Sequence, residues 1–134
     1  MSIYVDASAL LKRYVDEPDR DAGDEILLAD TEWVTARHTF VEVHRNLARL
    51  LEGSAFARAR DDFVLDWERM IVVELDEPTC DRAAELAVTL GVRTLDALHL
   101  AAAQRVGGPA LPFVTYDLRQ AQAARSLGWQ VLGS

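Results

Sequence analysis

The chain has 134 residues, half of them hydrophobic, enough for one domain with a sizeable buried core. A formal net charge of −8 argues against a general nucleic-acid binder, and the single cysteine, Cys80, excludes an internal disulfide and points to a reducing compartment. No basic stretch precedes the first apolar run and no uncharged run approaches membrane-spanning length, so the expected location is the cytoplasm, away from membranes.

Residues 2–6 open the chain as a β-branched and aromatic run, the composition of a buried strand, and Asp6 ends it. Residues 7–15 read as a helix that Pro18 breaks, and residues 19–29 as a second helix with an acidic start. Residues 33–35 form a short second strand. Residues 39–51 form a third helix with an apolar stripe of Phe40, Val43, Leu47, Leu50 and Leu51, stopped by Gly53. Ser54 is expected to cap a fourth helix running to about Arg69, and residues 70–75 make a third strand, nearly continuous in apolar residues. Pro78 starts a fifth helix that Gly91 ends, and Thr94 is expected to cap a sixth reaching about Val106. After a turn at residues 107–109, residues 112–116 are a fourth strand, residues 117–127 a seventh helix ended by Gly128, and residues 129–132 a last short strand. Strands alternating with helices predict a parallel sheet covered on both faces.

Asp6 and Asp117 each stand where a strand hands over to a helix, the edge at which open parallel sheets bind ligands. Capping explains either one alone, since aspartate is among the best N-caps, but the same arrangement occurs twice. Asp96 lies in a segment, residues 94–103, that is apolar nearly all round and therefore buried; its early polar side chains are Asp96 and His99, which share a face. A buried carboxylate is costly unless it is paired or bound to metal, and His99 is the expected partner. Glu42 lies beside the stripe of its helix, and periodicity alone makes it an exposed partner of Arg45 or Arg49. Four carboxylates meeting at one sheet edge would repel one another unless a cation intervened, and the hard divalent ion suited to oxygen ligands is Mg²⁺, with Mn²⁺ as substitute. Among the histidines, His44 falls at the edge of its stripe as a packed or rim residue, and His38 opens its helix without a clear role.

Ile3-Tyr4-Val5-Asp6-Ala7-Ser8-Ala9-Leu10-Leu11-Lys12, Glu42 within a helix, Thr94-Leu95-Asp96-Ala97-Leu98-His99-Leu100-Ala101 and Thr115-Tyr116-Asp117 together resemble the PIN-domain nucleases, and among them the VapC toxins of bacterial toxin–antitoxin pairs. The resemblance covers residues 3–132 and implies a PIN-like α/β/α sandwich with a central parallel sheet, a single PIN domain over residues 1–134. It implies a Mg²⁺-dependent endoribonuclease, a homodimer, held inactive by a VapB-type antitoxin. In that reading Asp6, Glu42, Asp96 and Asp117 are the catalytic cluster, Asp6 and Asp96 bind metal most directly, and Ser8 and Thr115 support them by hydrogen bonds. Some members carry a further acid soon after the last, but Leu118-Arg119-Gln120-Ala121 follows Asp117 here, so a second metal ion has less support.

The low overall affinity expected for RNA is partly offset between residues 37 and 60, where five arginines stand against two glutamates. Arg45 and Arg49 are the candidate phosphate contacts. Three alternatives stand beside this reading: a non-catalytic binding protein that keeps the acids only as caps and gains little stability from Mg²⁺, and the two that follow. A phosphoacceptor or other Mg²⁺-binding regulatory module would also gather acids at strand ends, but it needs a lysine after a late strand, and the lone lysine is Lys12 in the first helix. A metal-free ribonuclease would use His38, His44 or His99 as acid and base and would resist chelators.

Overall fold

The computed structural model describes residues 1–15, 20–29 and 32–133. The predicted break at Pro18 and the predicted helix start at Asp19 lie outside those residues. In chain order the elements are β1 (Ser2–Val5), α1 (Ala7–Tyr14), α2 (Arg20–Leu28), β2 (Glu32–Ala36), α3 (Thr39–Leu50), α4 (Gly53–Trp67), β3 (Ile71–Val73), α5 (Glu77–Leu90), α6 (Thr94–Val106), a 3₁₀ turn at Gly108–Ala110, β4 (Phe113–Val114), α7 (Leu118–Ser126) and β5 (Val131–Leu132). The sheet is wholly parallel in the order β3-β2-β1-β4-β5. The chain first builds outward from β1 through β2 to β3, then returns to the other side of β1 for β4. That reversal leaves a crevice beyond the carboxyl ends of β1 and β4, the switch point of a doubly wound sheet.

Side-chain alternation along β1 divides the interior in two. Ile3 and Val5 enter an apolar cluster with Leu10, Leu27, Val43, Leu47 and Phe63, drawn from α1 to α4. Tyr4 points the other way, into a cluster with Leu86, Leu100, Phe113, Ala124 and Trp129. The sheet is therefore the middle layer of the expected α/β/α sandwich. On the second face, Ala101, Ala102 and Ala103 of α6 are fully buried, and their small side chains allow the helix backbone to approach its neighbours closely.

Several element ends differ from the predicted ones. Glu52, not Ser54, is the N-cap of α4, which makes Gly53 (φ +56°) the first residue of that helix, while the preceding α3 ends at a Leu51 cap in extended conformation. Arg93, not Thr94, is the N-cap of α6. The third and fourth strands contract to Ile71–Val73 and Phe113–Val114, because only those residues find ladder partners. Asp76 caps α5 through its side chain, and Gly91 ends that helix in the left-handed region (φ 67°), as expected of a C-terminal glycine.

Candidate metal centre and nuclease cleft

The junctions after β1 and β4 are joined by side-chain hydrogen bonds. Asp6 is the N-cap of α1: one carboxylate oxygen, Oδ1, accepts from the Ala9 amide at 3.0 Å and from the Ser8 hydroxyl at 2.7 Å. The other accepts from Thr115 Oγ1, just beyond β4, at 2.5 Å. The Tyr116 amide donates to Ser8 Oγ (2.9 Å) and the Asp117 amide to Thr115 Oγ1 (3.1 Å). Asp117 in turn caps α7, with Oδ1 accepting from the amides of Arg119 (2.9 Å) and Gln120 (3.2 Å). Asp6 and Asp117 are thus true caps and also line one cleft, so the capping and site readings are not exclusive. Burial pushes the Asp6 carboxyl pKa up, opposed by His99 and by the Thr115, Ser8 and Ala9 donors.

Glu42 and Asp96 are held by side chains rather than by backbone. The Glu42 side chain is only 19% exposed, and its Oε1 lies 2.8 Å from His99 Nε2 and 3.5 Å from His38 Nε2. The expected surface pairing with Arg45 or Arg49 gives way to this histidine pair because the helix turns Glu42 toward the cleft, where His99 reaches it from α6. His99 Nδ1 lies 2.8 Å from the Tyr4 hydroxyl. Burial, with Asp6 and Glu42 nearby, raises the Tyr4 phenol well above its ordinary value, so it keeps its proton. The network therefore assigns a Tyr4 O–H donating to His99 Nδ1 and a His99 Nε2–H donating to Glu42. Burial lowers His99, opposed by Asp6 and Asp96, and burial together with His99 lowers His38 to about 4; both are neutral at pH 7. Glu42 is raised by burial, against the pull of His38 and Arg93.

Asp96 does not take His99 as its partner. Its Oδ2 accepts from Arg93 Nε at 3.0 Å, while Arg93 Nη2 donates to Asp117 Oδ2 at 2.8 Å. Behind it the buried Gln120 donates to the Asp96 carbonyl at 3.3 Å.

All four acids line one cavity of about 500 Å³, together with Ser8, Asn46, Arg49, Arg93 and His99. The tightest three-donor set among the described residues is His38, Glu42 and His99, whose ligand atoms lie within 4.8 Å of one another; the four acids share the cleft wall at wider spacing. Arg49 reaches the cavity from α3, whereas Arg45 is exposed on the same helix. Elsewhere in the basic stretch, Arg37 is paired with Glu74 and Arg60 with Asp61. His44 is packed between Phe40 and Phe63, as its place on the stripe predicts. Sequence reasoning missed Arg93 altogether, and it missed the pairing of His38 with Glu42, although their four-residue spacing on one helix turn was a visible signal.

A switch-point cleft walled by four carboxylates and the neutral His99, with His38 against Glu42, defines a class of acidic-site α/β proteins suited to binding a divalent cation. The PIN domain family model matches residues 3–126, and the chain belongs to the PIN-domain family. It is 36% identical over 131 residues to Ribonuclease VapC46 of Mycobacterium tuberculosis (strain ATCC 25618 / H37Rv), covering 98% of this chain and 96% of that protein. Its fold is similar to that of M. tuberculosis VapC20, described as a sarcin-ricin loop cleaving toxin (TM-score 0.72, 17% identity, 90% of this chain and 94% of that one). It is also similar to a member of the VapBC family of toxin–antitoxin systems, VapBC-5 of M. tuberculosis (TM-score 0.68, 17% identity, 99% and 98% covered).

Proposed function

We propose that this protein is a Mg²⁺-dependent endoribonuclease, the toxin of a VapBC-type toxin–antitoxin pair. The observation that carries the reading is the meeting of Asp6, Glu42, Asp96 and Asp117 in one cleft at the ends of β1 and β4, in a chain over a third identical to a VapC ribonuclease. The donor chemistry fits a hard divalent ion: the acids offer oxygen only, and burial holds Asp6 and Glu42 short of easy ionisation until a cation joins them. Mn²⁺ shares this preference for oxygen donors and fits the same four acids as a substitute.

Asp6 and Asp96 are assigned as the principal metal ligands, completed by Glu42 and Asp117 directly or through water. A divalent ion held by these residues would supply Lewis-acid polarisation of the phosphate and a lowered water pKa. The chain's own residues supply the rest. Ser8, Thr115 and the Ala9 amide fix the Asp6 carboxylate at both oxygens, so it needs no reorganisation when charge develops. Tyr4 and His99 hold Glu42 by a donated hydrogen bond, and Glu42, with its raised pKa, is placed to take the proton from the water. The water oxygen joins phosphorus as the bond to the 3′-oxygen breaks, and the 3′-oxygen takes a proton from solvent, giving 5′-phosphate and 3′-hydroxyl ends. No step uses the 2′-hydroxyl, so preference for RNA rests on kinship with the VapC ribonucleases. A VapB-type antitoxin as partner and a homodimeric toxin follow from the same kinship, and a basic antitoxin segment suits a chain of net charge −8. The phosphoacceptor alternative loses ground because Lys12 stands over the Tyr116 ring, 5.2 Å from its centroid, on α1.

The test is cleavage of end-labelled RNA with Mg²⁺ and with EDTA, beside Asp96→Asn. Mg²⁺-dependent cutting to 5′-phosphate ends, lost in the variant, is the expected result. Chelator-resistant cutting to 2′,3′-cyclic ends would replace this mechanism with histidine chemistry.

A further inference from the structure

Arg93 is a cation inside an acidic cleft. One guanidinium edge spans two carboxylates from different elements, Asp96 of α6 and Asp117 at the start of α7. It takes the oxygen that a metal would need: Asp117 Oδ1 is committed to the Arg119 and Gln120 amides, which leaves Oδ2, the atom Arg93 holds. Local folding does not require this contact. Arg93 is the N-cap residue of α6 but makes no side-chain capping bond, and the cap of α7 is complete without it. The guanidinium is also easy to move, because its side chain is 59% exposed and half-exposed ion pairs are weakly held. It has somewhere to go. Arg93 and Asp96 stand on the wall between the acidic cleft and a neighbouring groove of about 430 Å³ that also presents Arg119, Gln122 and Ser126. In that groove two guanidiniums would face a phosphate in the planar, bidentate manner that arginine favours.

We propose that Arg93 is the cleft's own counter-cation: it clamps Asp96 and Asp117 until a divalent cation displaces it, and it then swings to the groove beside Arg119 to hold an RNA phosphate next to the scissile one. The second half rests on the nuclease reading above; the first does not.

The decisive measurement is Mn²⁺ titration by calorimetry of wild type, Arg93→Gln, Arg93→Lys and Asp96→Asn, with folding checked by circular dichroism. Removing a resident competitor tightens metal binding, so Arg93→Gln is expected to bind Mn²⁺ roughly three- to tenfold more tightly than wild type. Arg93→Lys, which keeps the charge but cannot span two carboxylates, falls between, and Asp96→Asn loses binding. An arginine that merely braced the fold would give unchanged or weaker Mn²⁺ binding in Arg93→Gln, and that result, or no Mn²⁺ binding by either protein, overturns the counter-cation. For the second half, RNA cleavage at saturating Mn²⁺ is expected to show a raised KM in Arg93→Gln and in Arg119→Gln. An unchanged KM in Arg93→Gln overturns the swing. If no RNA is cut by any variant the nuclease reading falls with the swing, while the Mn²⁺ titration still decides the clamp.

Discussion

The cleft has two kinds of acid. Asp6 and Asp117 are wired to the backbone: each caps the helix that follows its strand, and Ser8 and Thr115 tie one junction to the other. Glu42 and Asp96 sit on helix faces and are held only by side chains, Glu42 by two histidines and Asp96 by Arg93. The first pair would keep its place in a protein with no activity, because removing either acid exposes orphan helix amides. The second pair has no such backbone duty: Glu42 and Asp96 cap no helix, and Glu42, whose carboxyl burial pushes up, is a cost to the fold at neutral pH. Acids with no helix amide to cap mark the chemistry more clearly than acids that also cap helices.

The largest effect should come from the helix-held pair. Asp96→Asn preserves shape and removes a charge with no backbone duty, so cleavage should fall roughly a thousandfold, the scale of several kcal/mol of lost transition-state stabilisation. The melting temperature should stay near that of wild type. A variant that cuts RNA at the parent rate would remove Asp96 from the chemistry, and one that unfolds would erase the distinction between the two pairs.

The same distinction explains what could be seen beforehand. An acid at the end of a β-branched run and before a helix is a local pattern, so Asp6 and Asp117 were legible, as was Asp96, polar inside an apolar helix. Ser8 and Thr115 were named through the resemblance alone, and each donates a hydrogen bond to Asp6. Glu42 was not legible from periodicity, because His99, which makes it a cleft residue, lies 57 positions away. Arg93 was hidden behind Thr94, whose chemistry looks like a cap; only the tertiary approach of α7 gives the arginine two carboxylates to span. Alternation of strands and helices implied the sandwich, but strand order is a product of long-range packing, and no single segment states that β1 lies between β2 and β4.

Acidity should separate the histidines from the carboxylates they face. His38 has a folded pKa near 4, below its ordinary 6.5, so between those values the unfolded chain takes up a proton that the folded chain refuses. Stability contributed by neutral His38 is therefore full above pH 6.5 and declines as pH falls toward 4, by the order of 1–3 kcal/mol. Glu42 works in the opposite sense: its folded pKa is raised, so the folded state binds the proton first and stability gains as pH falls toward the ordinary carboxylate value of 4.5. Urea unfolding of wild type, His38→Gln and Glu42→Gln from pH 7.5 to 4 should show a shallower acid loss in the histidine variant and a steeper one in the glutamine variant of Glu42. Parallel curves for all three would mean that the cluster is more solvated than its geometry indicates.

A smaller effect tests the backbone-wired pair. Asp117→Ala leaves the Arg119 and Gln120 amides without their acceptor and should cost about 1 kcal/mol, a fall of a few degrees in melting temperature. Asp117→Asn, whose side-chain oxygen still caps, should recover most of that loss while remaining deficient in cleavage. Recovery of stability without recovery of activity would show one residue doing both jobs; recovery of both would reduce Asp117 to a cap.

The smallest effect lies at the cleft's rim, where Arg49 and Arg45 share α3 but only Arg49 lines the cavity. Arg49, about two turns beyond Glu42, bonds to Asn46, itself anchored to the Glu42 carbonyl at 2.9 Å, so its guanidinium is tied back along α3 toward that acid. A phosphate contact there steers the strand without touching the reacting bond. Arg49→Ala should raise the KM for RNA by about two- to fivefold and lower the salt slope of binding by roughly one ion, with kcat nearly intact. Arg45→Ala, farther from the cavity, should change both less. Equal losses from the two would replace a directed contact with a diffuse basic face, and the RNA path would then follow the charge of α3 as a whole rather than the position of one arginine beside the cleft.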